Sequence, residues 1–317
     1  MRFIYLLTAA SILCFYSCTQ RSEPSEKSIA ADTPEHITVD GSELKYVVEG
    51  DGIPCLVIGS SVYYPKTFSA NIRQHLKMYF VDMKWFAEVY TPENLDSVTI
   101  QTIVEDVEEI RKELGLHNPL VMGHSIHGTI AMEYAKQYAD KVAGVVVIGS
   151  PAKFGNEEYT QKAEALWATA SEERRAIQEE NWGKIKEIDR LTGKDATAAE
   201  YNRASPQYWY DPKYDANWLW DGMTVHTEVT DNLFSRVFSE YDMFREPVNI
   251  QKPVLVVMGI YDYVIPYTLW DTEYESIDDY TFVLFEKSGH TPQLEEQEHF
   301  DRMLINWLNE KIITEAN

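Results

Sequence analysis

Leu120-Val121-Met122-Gly123-His124-Ser125-Ile126-His127-Gly128-Thr129 is the stretch on which the reading of this chain turns. Leu120 to Met122 is a short apolar run, long enough to end a buried strand. Beyond it Ile130, Tyr134 and Tyr138 recur at helical spacing, and Ala131 and Ala135 add a flat edge suited to close packing. A strand therefore runs into a helix through a turn that reads Gly-x-Ser-x-His-Gly. In a nucleophile elbow, a serine on such a turn is held proud of the sheet at a helix N-terminus. The helix dipole and its free N–H groups favour negative charge there, which an attacking alkoxide and a tetrahedral oxyanion both carry. Gly123 permits the tight approach. His127 stands where the pattern has a small residue, and Gly128 comes one place late, so the imidazole needs room beside the neighbouring strand. Taken alone, the motif leaves Ser125 equally readable as a helix cap.

Working toward the N-terminus, Ile103, Val107, Ile110 and Leu114 form an apolar stripe at helical spacing, closed by Gly115. Met78 to Val81 and Pro54 to Ile58 read as strands, the latter ending at Gly59-Ser60-Ser61. His36 to Gly50 alternates around Asp40-Gly41, a two-residue hairpin signal. Toward the C-terminus, Val142 to Ile148 is nearly all apolar, as expected where both faces of a parallel sheet are covered. Residues 153–247 then break the pattern with helix-like stretches and the aromatic segment Tyr208 to Trp220, and strands resume at 253–259 and 281–285. An amphipathic helix from about Gln293 to Leu308 closes the chain. The expectation is an α/β fold with a mostly parallel central sheet flanked by helices, a core of 36–152 and 248–317, and a helical cap at 153–247 inserted after the sixth strand.

With these elements the chain resembles a capped serine hydrolase of the α/β-hydrolase superfamily, over about residues 36–152 and 248–312. The resemblance rests on Ser125 at the elbow, Asp262 just past a strand in Gly259-Ile260-Tyr261-Asp262, and His290 in Ser288-Gly289-His290 after the last strand. That is the family's chain order of nucleophile, acid and histidine. It implies that His290 takes the Ser125 proton and that Asp262 fixes the histidine tautomer and stabilises its charged form. It also implies an oxyanion hole from the N–H groups of Ile126 and of Ser61, although Gly59-Ser60-Ser61 stands where the family usually has His-Gly. His124 should point away from the site, and His127 competes as base or substrate ligand. Ser60, His127, Tyr63, Trp209 and Trp218 are candidate substrate contacts. The Tyr208–Trp220 aromatics read equally as the cap's own core. Serine chemistry needs no cofactor, and the histidines lack metal-ligand spacing. The leading expectation is hydrolysis of a carboxylic ester carrying a small or medium apolar group. A proline iminopeptidase-like aminopeptidase is the alternative, and a catalytically silent binding protein is the alternative of another class.

The net charge of −23 over 317 residues argues against nucleic-acid binding, which requires a basic face. Residues 1–17 combine Arg2 with an apolar run too short to span a bilayer and read as a signal peptide. Ser17-Cys18 resembles a bacterial lipoprotein cleavage box, with Cys18 lipidated and the product held in the periplasm or envelope; ordinary signal cleavage is the other reading. Residues 18–35 read as a flexible tether. Cys55, inside an apolar run, reads as a small core residue.

Overall fold

The computed structural model describes residues 34–183, 190–246, 248, 250–271 and 277–314. The expected signal peptide, Cys18 and all of the tether before residue 34 lie outside these residues.

Strand β1 (Glu35–Val39) turns at Asp40-Gly41 into β2 (Ser42–Glu49), with both turn residues at positive φ, 44° and 74°, as a two-residue hairpin demands. Then follow β3 (Ile53–Gly59), β4 (Leu76–Asp82), helix α1 (Ile100–Glu113), β5 (Leu120–His124), α2 (Ile126–Gln137) and β6 (Gly144–Ile148). The chain leaves the sheet after β6 and returns at β9 (Val254–Gly259) and β10 (Tyr280–Phe285). The eight strands lie in the order β1-β2-β4-β3-β5-β6-β9-β10. The first two pairings in that order are antiparallel and all the rest parallel.

The apolar runs occupy the centre of the sheet because a parallel strand is covered on both faces. In β5 and β6 every residue is buried. One face carries Val121, Val145, Val147 and Val256 against α1 and α2, whereas the other packs Met122, Val146, Leu255 and Val257 against the terminal helix. That helix is interrupted. A single turn at Pro292–Glu295 is followed by α6 (Gln297–Trp307), because Glu296 adopts φ −123°, ψ 52° and turns its carboxylate back onto the Lys287 N–H.

The segment between β6 and β9 contains α3 (Glu157–Ala168), α4 (Glu172–Trp182), α5 (Gly193–Arg203) and several one-turn helices. Asn156 and Ser171 start α3 and α4 with side-chain oxygens that accept the Tyr159 and Arg174 N–H groups. A short antiparallel ribbon, β7 (Lys153–Phe154) with β8 (Tyr241–Asp242), joins the two ends of this segment.

The register places the chain's chemistry. Gly59 pairs with Asp82, Ile58 with Gly123, His124 with Ile148, Ile148 with Val257 and Phe285 with Gly259. The C-terminal ends of six strands therefore share one edge, where open α/β sheets bind ligands.

Candidate active site

Ser125 sits between β5 and α2 at φ 57°, ψ −136°, a conformation costly to a residue with a side chain. Its side chain makes no capping bond to α2, which removes the helix-cap reading. Its N–H donates to the Ile148 carbonyl at 2.8 Å, and its own carbonyl accepts from Ser150 Oγ at 2.6 Å, so the turn is pinned to β6 from both sides. The flanking glycines are required by contact. A Cβ on Gly123 would stand 2.1 Å from the His127 carbonyl, and one on Gly128 2.0 Å from Ser150 Oγ.

His127 finds its room at the end of β3. Gly59 has φ 138°, and a Cβ there would lie 3.0 Å from the imidazole Cγ and Nδ1. The ring stacks on Trp85 at 5.8 Å between centroids, and its Nδ1 lies 2.8 Å from the Tyr64 hydroxyl. Tyr64 Oη also donates to the His124 carbonyl at 3.2 Å. With that proton spent, His127 Nδ1–H donates to Tyr64, and Nε2 remains an unprotonated acceptor without a partner in the described structure. Burial pushes the His127 pKa down to about 4, so the ring is neutral near pH 7.

Asp262 follows β9 and is fully buried. Its Oδ1 accepts from the Val264 and Ile265 N–H groups at 3.2 and 2.8 Å, and its Oδ2 lies 2.6 Å from His290 Nδ1. A carboxylate in that position accepts the hydrogen bond from Nδ1–H and so leaves the Nε2 lone pair of His290 free. His124 does not point away, as the sequence suggested. It is buried with its ring 4.6 Å from that of His290, and its Nε2–H donates to the His290 carbonyl at 2.8 Å. Desolvation, followed by the neighbouring His290, holds its pKa well below the usual histidine value.

The loop after β3 corrects one expectation. The Ser61 N–H donates to Asp82 Oδ1 at 2.6 Å, so it is committed and does not face the cavity. Desolvation raises the Asp82 carboxyl to about 6, against the opposing pull of that N–H. Ser60 lines the cavity instead, its Oγ accepting the Val62 and Tyr63 N–H groups at 3.1 Å each. Ile126, as the first residue of α2, has an N–H with no carbonyl four residues back in the helix.

Ser125, His290, Ser60, Ile126, His127 and Tyr63 line one cavity of about 100 Å³. Two other expected contacts are absent from its walls. Trp209 is buried against Tyr214, and Trp218 is 41% exposed with its indole N–H on the Tyr214 hydroxyl. The wall above the sheet is made by Tyr201, Trp220, Met223, Leu233 and Phe234, and the wall beside β4 by Trp85 and Phe86. Among the described lining residues none is an Asp or Glu.

The family model described as alpha/beta hydrolase fold matches residues 57–297. AB hydrolase superfamily protein YclE of Bacillus subtilis (strain 168) is 34% identical over 279 residues, spanning 86% of this chain and 97% of that protein. A proline iminopeptidase of Clostridium botulinum is 25% identical over 236 residues, 69% of this chain and 75% of that protein. Among solved structures, an alpha/beta fold family hydrolase from Bacillus anthracis str. Sterne superposes with a TM-score of 0.66 at 20% identity, covering 86% of this chain and 98% of that one.

Proposed function

The chain belongs to the alpha/beta hydrolase fold family, and from that premise we propose that it is a serine hydrolase acting on carboxylic esters with a small apolar acyl group. The observation that carries the reading is the buried His290–Asp262 pair at 2.6 Å, opening onto the same cavity as the strained Ser125. His290 Nε2 takes the Ser125 hydroxyl proton as Oγ attacks the ester carbonyl. The N–H of Ile126 and the Ser60 turn face the resulting oxyanion. Asp262 holds Nδ1–H and stabilises the imidazolium, which then protonates the leaving alkoxide. A water molecule repeats the sequence on the acyl-enzyme, returns the serine proton and releases the acid. The residues around 153–247 act as a cap that completes the pocket.

Esters are preferred to N-terminal prolyl amides on electrostatic grounds. An aminopeptidase must bury its substrate's ammonium group, which is costly without a facing carboxylate, and the described cavity lining has none. The limited volume favours short acyl chains. The test is turnover of p-nitrophenyl esters from acetate to dodecanoate beside prolyl and alanyl arylamides. Acetate or a near homologue is expected to be fastest, and Ser125→Ala to lose about 10⁴-fold or more in kcat. Faster prolyl arylamide turnover would install the aminopeptidase reading. A folded wild type that turns over nothing and leaves a fluorophosphonate unreacted would point to a binding protein.

We also propose that Cys18 is the lipidated first residue of an exported protein. Mass spectrometry of the mature N-terminus should show a diacylglyceryl adduct on Cys18; an unmodified N-terminus at another residue would refute it.

A further inference from the structure

The loops that carry Asp262 and His290 are both tied to one stretch of the excursion, residues 206–210. The Gln207 carbonyl accepts the Tyr263 N–H at 2.9 Å, and the Tyr208 carbonyl accepts the His290 N–H at 2.6 Å. The approach is close enough to require Gly289, where a Cβ would stand 2.1 Å from the Tyr208 carbonyl oxygen and 3.0 Å from Trp209 Cα.

This strap is gripped from both sides by the Arg174 guanidinium and by the Glu295 carboxyl, which desolvation pushes up to about 7 against the pull of the N–H groups it accepts. Arg174, buried on α4, donates from Nη1 to the Pro206 and Trp209 carbonyls, each at 2.8 Å, and from Nη2 to the Tyr210 carbonyl at 2.6 Å. Its guanidinium also lies over the rings of Tyr261 and Tyr263, at 5.3 and 5.4 Å, on either side of Asp262 in sequence. Glu295 completes the grip. Its Oε2 accepts the Tyr210 N–H at 2.7 Å, while its Oε1 accepts the Gly289 and Thr291 N–H groups at 3.0 and 3.1 Å. The carboxylate thus bonds the residues on both sides of His290 and the strap above them. Neither Arg174 nor Glu295 lines the cavity.

We propose that Arg174 and Glu295 are positioning residues that, through the 206–210 strap, hold His290 and Asp262 in register with Ser125. The proposal rests on the serine-hydrolase reading. Charge-assisted bonds to backbone are about twice as strong as neutral ones, so the guanidinium, and the carboxylate when ionised, hold these loop positions firmly. Arg174→Lys keeps the charge but lacks the planar fork that reaches three carbonyls at once. Glu295→Gln keeps the shape but places an N–H₂ donor against N–H donors.

Each variant is expected to lose about tenfold or more in kcat with KM within about twofold, and to slow its fluorophosphonate reaction alike. The far-downfield proton resonance of His290 Nδ1–H, assigned by its loss in His290→Ala, should move or broaden in both. Gln178→Ala, a buried change on the same helix, should lower Tm but leave rate and resonance as in wild type. Variants that fold, lose only Tm and keep the wild-type kcat and resonance would overturn the proposal. A wild type inert to the fluorophosphonate would instead sink the serine-hydrolase reading, and the resonance would still decide whether the clamp sets the His290–Asp262 geometry.

Discussion

Gly59 and His127 exchange volume: a bulky ring fits beneath the elbow because the facing strand ends without a side chain. Gly59→Ala should therefore fail twice, through its φ of 138° and through the 2.3 Å approach of a new Cβ to Tyr64 Cε2. A loss of roughly 2–4 kcal/mol is expected, read as a lower denaturant midpoint at unchanged slope. A midpoint within error of wild type would show that Tyr64 and His127 move aside freely. His127 also leaves a pH signature. Its folded pKa of about 4 lies below the unfolded value of about 6.5, so between them the unfolded chain binds the extra proton. The stability it confers is fully present above about pH 6.5 and is lost as pH falls through 4, on the order of 3 kcal/mol in all. His127→Asn removes that titration, so its Tm deficit against wild type should shrink on acidification through this window. A pH-independent deficit would mean that the ring titrates alike in both states.

Short elements set the cavity's upper wall, and one lysine holds the most important of them. Lys66 Nζ donates to the Trp218, Leu219 and Asp221 carbonyls at 2.9, 3.1 and 2.8 Å, closing the C-terminal end of the single helical turn Asn217–Trp220. Lys66→Ala should let Trp220 drift from the pocket, raising KM about three- to tenfold with kcat little changed; a drop in kcat at constant KM would contradict this. Elements of this kind were the least legible in the sequence. The central strands announced themselves because burial on two faces demands uninterrupted apolar runs, and the elbow because three small or special residues are needed at fixed spacing. Trp218 was named as a contact, yet Trp220 faces the cavity, since a helix of four residues carries no periodicity that says which side meets the sheet. Ser61 failed for another reason. The competitor for its N–H, Asp82, comes from a different strand, and pairing between strands is invisible to a local motif.

At the scale of the molecule, the parallel register brings Gly59, Ser125, Asp262 and His290 to one edge although they are scattered along the chain. The order of the strands in the chain was legible, because each apolar run is separated from the next by a helix or a turn signal. The order in space follows from crossover rules rather than from any residue. The acidity of the whole, with a sequence pI of about 4.7, is compatible with a cavity whose described lining has no carboxylate because the negative charge is carried elsewhere. Arylamide turnover should accordingly stay below ester turnover at every pH from 6 to 9; an arylamide optimum exceeding the esters at any pH in that range would refute it. Asp262 and His290 follow β9 and β10, whereas Ser125 follows β5, so both leave the ribosome after the serine. On the proposed serine-hydrolase reading, a nascent chain therefore carries its nucleophile long before it owns a base. On that reading a chain cut before β10 keeps Ser125 but lacks His290, which makes β10 and the loop after it the safety catch of the chemistry.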